Sequence, residues 1–114
     1  MRGIDDFNGD GKNDLLWHNQ STGSLYVWFL GGTNGVVQQS TAFLTPGAVA
    51  NTQWQVAEVA DFNADGKSDV LWHHQASGSL YVWYLGGANG IVQQSADFLN
   101  PSSIANTSWK VAPR

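Results

Sequence analysis

The residues with the plainest chemistry are Asp6, Asn8, Asp10 and Asp14, which recur as Asp61, Asn63, Asp65 and Asp69. Each set occupies positions 1, 3, 5 and 9 of a nine-residue loop (6–14 and 61–69), with Gly11 or Gly66 at position 6. Short oxygen-bearing side chains at alternate positions of a tight loop can converge on one hard cation, and the glycine permits the bend. The carbonyl of Lys12 or Lys67, at position 7, can add another oxygen. An all-oxygen cage rich in carboxylates suits calcium better than magnesium, which keeps more of its water. The loop starts like an EF-hand but does not end like one, since Trp17 and Trp72 stand where a bidentate Glu would be needed. An Asx-rich turn without an ion is the alternative, but three carboxylates so close together repel one another unless a cation is present.

The remaining polar candidates are fewer. His18, Asn19 and Gln20 follow one short apolar run, and His73, His74 and Gln75 follow its counterpart. A histidine at a strand end is ordinarily an edge residue. Neighbours along a strand point to opposite faces, so His73 and His74 are not expected to share a metal. No Ser-His-Asp set, CxxC pair or phosphate-cradling glycine loop is present. Metal-bound carboxylates are poor general acids. The chain is therefore expected not to be an enzyme.

The elements that must hold these residues come as a repeat. Shifted by 55, the sequence lies on itself: Leu16-Trp17-His18 matches Leu71-Trp72-His73, and Gly23-Ser24-Leu25-Tyr26-Val27-Trp28 matches Gly78-Ser79-Leu80-Tyr81-Val82-Trp83. Roughly 35 of 54 aligned positions are identical, which marks a duplicated structural unit. Within a unit the pattern predicts strands: Trp54 to Ala60, Asp69 to His74, Ser79 to Leu85, and a weaker one from Ile91 to Phe98. They are separated by turn-like segments including Gln75 to Gly78 and Asn100 to Ser103. The first unit opens on a shorter strand, Gly3 to Phe7. Leu80, Val82 and Tyr84 alternate with Tyr81, Trp83 and Leu85, so both faces of the sheet are apolar, as in a sheet sandwiched between two others. Four antiparallel strands at a fixed period predict an all-β chain of two four-stranded propeller blades. The six tryptophans fall at three equivalent places per unit and are read first as core between blades.

The motif Asp-Phe-Asn-x-Asp-Gly-Lys-x-Asp-(Leu/Val)-Leu-Trp, present in both units, resembles the FG-GAP/VCBS repeat. The resemblance covers essentially the whole chain. It implies a calcium-binding β-propeller of the kind found in integrin α-subunits, secreted and surface proteins, and some lectins. It also implies a secreted or cell-surface location, although Met1-Arg2-Gly3-Ile4-Asp5 lacks the apolar core of a signal peptide. By position it assigns the metal ligands to Asp6, Asn8, Asp10, Lys12 (carbonyl) and Asp14, and to Asp61, Asn63, Asp65, Lys67 (carbonyl) and Asp69. The family's propellers commonly have seven blades, and two units fall short of that.

Two blades would leave broad apolar faces in water. Blade 1 is expected at 1–55 and blade 2 at 56–114, with the ring completed by homo-oligomerisation: three chains give six blades and four give eight. The first unit lacks the Trp-x-Val start of its first strand, whereas 109–112 (Trp109-Lys110-Val111-Ala112) carries one that a neighbouring chain can share. An excised piece of a longer tandem array is the alternative.

Composition narrows the partners. Charged residues make up only 12% and the net charge is -4; six of the nine acids lie in the two loops. Five scattered Lys and Arg give no nucleic-acid-binding face. No apolar run reaches the roughly 18 residues that span a bilayer. The loops away from the acidic motif offer neutral polar residues beside aromatic rings. This favours sugar hydroxyls as ligands, with His18, Asn19, Gln20, Trp54, His73, His74, Gln75 and Trp109 as candidates. A ligand-free structural or engineered assembly unit, or a protein-adhesion module, is the competing expectation.

Overall fold

The computed structural model describes residues 3–87, 89–104, 106 and 108–111, and its regular elements are all strands. In chain order they are β1 (Gly3–Asp5), β2 (Asp14–His18), β3 (Ser24–Gly31), β4 (Val37–Ala48), β5 (Trp54–Ala60), β6 (Asp69–His74), β7 (Ser79–Gly86) and β8 (Val92–Ser103). β1 to β4 form one antiparallel meander and β5 to β8 another. One parallel pair, Thr45 with Val92, joins β4 to β8 and gives the sheet order β1-β2-β3-β4-β8-β7-β6-β5. At the far end of that order β1 lies against β5, so the eight-stranded sheet nearly closes on itself. Gly3 permits this contact, because a Cβ there would stand 2.3 Å from Val59 Cγ2.

The aromatic and β-branched runs form strands where their pattern places them. β5, β6 and β7 match expectation to within a residue. β1 is shorter than expected: it stops at Asp5, and Phe7 turns inward from the loop to become core. β8 corrects the reading further. The expected weak strand is twelve residues long and runs through Asn100 to Ser103, read from sequence as a turn; β4 does the same through Pro46. A wide bulge accounts for both. Ser79 pairs with Ser103 and Tyr81 with Phe98, so four residues of β8 stand opposite Leu80 alone. The proline sits in that excursion, where no ladder N–H is required.

The core is one cluster contributed by both halves. Leu16, Leu25, Val27 and Phe29 come from the first, and Val70, Trp72, Trp83 and Leu85 from the second. Strand alternation puts the first four on one face of their half. Their counterparts in the second half, Leu71, Leu80, Val82 and Tyr84, lie on the face opposite Trp72 and Trp83. The two halves therefore stack through opposite faces. The C-terminal residues Trp109 to Val111 form no strand within the chain, and Ala112 lies outside the described residues. The turn before them nonetheless repeats the one before β5: Trp109 N–H donates to the Asn106 carbonyl at 3.2 Å, as Trp54 N–H does to Asn51 at 3.1 Å.

Candidate functional site

Each acidic loop links the first two strands of its half and folds around its own carboxylates. Asp6 Oδ1 accepts from Gly9 N–H (2.9 Å), and its Oδ2 accepts from Gly11 N–H (2.7 Å). Asp10 Oδ1 accepts from Lys12 N–H at 2.8 Å. Asp6 Oδ1 also accepts from Asp10 N–H (3.2 Å), and the second loop repeats this bond and the Gly11 and Lys12 bonds: Asp61 accepts from Asp65 N–H (3.1 Å) and Gly66 N–H (2.8 Å), and Asp65 from Lys67 N–H (2.9 Å). Asn8 Oδ1 accepts from Asp10 N–H only at 3.4 Å.

Asp14 and Asp69 differ from the other acids in being fully buried at the start of β2 and β6. Asp14 Oδ2 accepts from Phe7 N–H (3.0 Å) and its Oδ1 from Leu30 N–H (3.0 Å). Asp69 likewise accepts from Phe62 N–H (2.9 Å) and Leu85 N–H (3.2 Å). These acids thus close the loop and tie it to the end of the third strand. Burial pushes the carboxyl of Asp14 above its ordinary 3.8; the Leu30 and Phe7 amides pull it back, and Asp10 and Asp6 add to the rise. Asp69 is raised in the same way by burial and by Asp65, opposed by the amides of Phe62, Leu85 and Asn63.

In each loop one oxygen from every carboxylate, Asp6, Asp10 and Asp14 or Asp61, Asp65 and Asp69, lies within 4.8 Å of the others. The residues fit a hard divalent cation. Every donor is oxygen, each carboxylate offers about four lone-pair sites, more than the amide bonds above occupy, and a cation offsets the burial and repulsion that disfavour the charged form. The sequence brought out the acids because they are local. It missed the amides of Leu30 and Leu85, which reach the site only once the third strand pairs with the second.

The eight candidate ligand residues do not form one site. Trp54 lines a groove of about 280 Å³ between the halves with Val49, Trp72, Tyr81, Trp83 and Phe98. His18 and Asn19 line an open depression with Trp17, Tyr26 and Phe43. His73 and Gln75 line a third with Gln55 and Lys110, and His73 and Trp109 a fourth with Ile104. Several candidates hold the fold itself. His74 stands edge-on to Trp54 at 4.9 Å, and its Nδ1 accepts from Ser77 N–H at 3.1 Å. Asn19 Oδ1 accepts from Ser21 N–H (2.9 Å), and Gln20 Nε2 lies 3.3 Å from His18 Nδ1. His18 and His73 are buried, not edge residues. Burial holds His73 below the ordinary 6.5, with smaller contributions from Lys110 and His74.

Comparison with known families decides the kinship. The FG-GAP-like repeat matches residues 6–72, from the first acidic loop through the second and into β6. The chain belongs to the FG-GAP-like repeat family. Searches of curated proteins and of solved structures returned no match. In this FG-GAP-like protein the repeat's acidic signature and its oxygen clusters are the same residues. No helix among the described residues is long and apolar enough to cross a membrane.

Proposed function

We propose that this FG-GAP-like chain is a non-catalytic β-propeller module, stabilised by calcium at both acidic loops, that completes its ring with further copies of itself and binds carbohydrate. On this reading each four-stranded half is a blade; three copies make six blades and four make eight. The observation that carries it is the paired clustering of carboxylate oxygens within 4.8 Å at equivalent places in both halves. Asp6, Asn8, Asp10, Asp14 and the Lys12 carbonyl would hold one ion. Asp61, Asn63, Asp65, Asp69 and the Lys67 carbonyl would hold the other. Calcium would supply charge compensation and loop closure, with no chemistry on a substrate. A non-catalytic role is supported by the amide bonds that already engage these carboxylates. Extracellular modules work with calcium dissociation constants of about 10⁻⁴ to 10⁻³ M, which fits a secreted or surface setting.

The carbohydrate reading is supported by the groove between the halves. Trp54, Tyr81 and Phe98 give it aromatic walls on which a sugar ring can stack. Thermal unfolding with calcium and with chelator tests the metal, and equal melting temperatures would refute it. A glycan array tests the ligand. Absence of any glycan signal up to high micromolar protein would leave a purely structural assembly unit, and binding that simple sugars do not compete would favour protein adhesion.

A further inference from the structure

We infer that the two open faces of the chain dock on one another between copies, head to tail, and that this contact repeats the seam already present inside the chain. The inference rests on the proposed self-association and adds its register and the residues on each side.

The internal seam uses one face of the first half and the opposite face of the second. The other face of the first half is left partly open at Leu15, Trp17, Tyr26 and Trp28; on that of the second half Leu71 and Val82 are buried within the chain, and Leu80, Tyr84 and the Phe62 loop are not fully covered. Position for position, the open face of the first half corresponds to the face of the second half that is covered. Val36 is 74% exposed while its counterpart Ile91 is 7%. Ile4 is 47% exposed while Val59 is fully buried. At the loop edge of the second half's other face the asymmetry reverses, with Phe62 45% exposed and Phe7 only 2%, although Leu71 and Val82 on that face are buried as Leu16 and Val27 are. Phe43 and Phe98, at 58% and 57%, are exposed alike, although Phe98 also lines the groove between the halves. At Val36, Ile4 and Phe62 exposure thus follows the seam and not the half to which the residue belongs.

Particular contacts have their counterparts waiting. A Cβ on Gly90 would come 1.9 Å from the Phe7 carbonyl, whereas one on the equivalent Gly35 would meet only the Lys12 side chain, at 3.8 Å. That leaves room at Gly35 for the Phe62 loop of another copy. His18 stands edge-on to Trp72 across the internal seam at 5.5 Å. Its counterpart His73 is buried as well, and the counterpart of Trp72, Trp17, lies half-buried on the first half's other face.

Val49, from the first half, walls the aromatic groove of the second. Its counterpart Ile104 is exposed. Docking would set Ile104 of one copy beside Trp17, Tyr26 and Trp28 of the next, so a single copy holds one complete groove and the two halves of another. A second copy is the fitting occupant because the chain itself carries both complementary surfaces, and no Asp, Glu, Lys or Arg occurs along β2 or β3 after Asp14.

Size-exclusion chromatography with light scattering, in calcium buffer, tests this. Wild-type protein is expected to run as a multiple of 12.3 kDa. Val36→Asp is expected to run as a single copy with unchanged circular dichroism and a melting temperature lower only by the stabilisation that assembly supplies. The same change at the equivalent internal position, Ile91→Asp, should lower the melting temperature by about 10 °C or more. Val36→Lys mixed with Phe62→Glu should assemble where neither does alone. A wild-type protein of single-copy mass overturns self-association and the seam together. A multi-copy wild type whose Val36→Asp and Phe62→Glu variants assemble equally well overturns the seam alone.

Discussion

The two buried aspartates serve the fold and the candidate metal site at once, and substitutions separate these roles. Asp10 and Asp65 are exposed, and each accepts from the lysine amide of its own loop, so Asp65→Ala should leave the chelated protein within about 0.5 kcal/mol of wild type while removing most of the calcium-dependent stabilisation of the second loop. Asp69→Ala leaves the amides of Phe62 and Leu85 without their acceptor and should cost about 2–4 kcal/mol even in chelator. Chemical denaturation with and without calcium reads both differences. His73 gives a pH signature of its own. Its folded-state pKa is depressed, chiefly by burial, so the unfolded chain takes up a proton near pH 6.5 that the folded chain refuses. Stability is full above that pH and falls as pH drops below it, until the folded imidazole titrates as well. His73→Phe should flatten this part of the stability–pH curve, measured in chelator so that metal loss does not contribute. The acids were legible in the sequence because nine consecutive residues contain them. The burial of His73 was not, because it follows from strands that pack around it.

The strands were legible where side chains decide them, and their ends were lost where backbone geometry does. Nothing local announces that β4 and β8 continue past a proline, since the bulge opposite Tyr26 and Tyr81 is set by pairing with β3 and β7. The glycines that allow it look like ordinary turn residues. Gly23 and Gly78 have φ of 78° and 76°, and a Cβ on either would come within 2 Å of the carbonyl of Val49 or Ile104. Gly66 has φ of 81°, with nothing within 4 Å of an added Cβ. Gly66→Ala should therefore cost only the torsional term of about 1–2 kcal/mol. Gly78→Ala should cost about 3 kcal/mol or more, because the returning strand cannot move aside. Urea unfolding of the two variants compares a strained torsion with the same torsion plus a clash. Similar losses would mean that the β7–β8 junction yields more easily than its hydrogen bond from Ile104 N–H to Gly78 O (3.0 Å) implies.

At the scale of the whole molecule the tryptophans report whether the outer faces are used. Trp72 and Trp83 are buried in the internal seam, 5.1 Å apart, and Trp17 and Trp28 repeat that pair at the same spacing with one side open to solvent. The identical spacing means that the open pair is already shaped for a cover, with no rearrangement needed before contact. If copies stack as the halves do, Trp17 and Trp28 lose water on association while Trp72 and Trp83 see no change. Emission should then shift to shorter wavelength as concentration rises, with a midpoint that matches the change in mass by light scattering. The shift should vanish in a Trp17→Phe, Trp28→Phe protein and in Val36→Asp. An association detected by mass that leaves the emission unmoved would place the contact elsewhere, for instance through Phe43 and Phe98, which both halves expose alike. The repeat was readable because two copies of one pattern share a chain. The direction of stacking was not, because both faces of each unit are apolar and only the burial of one counterpart and not the other reveals which face meets which.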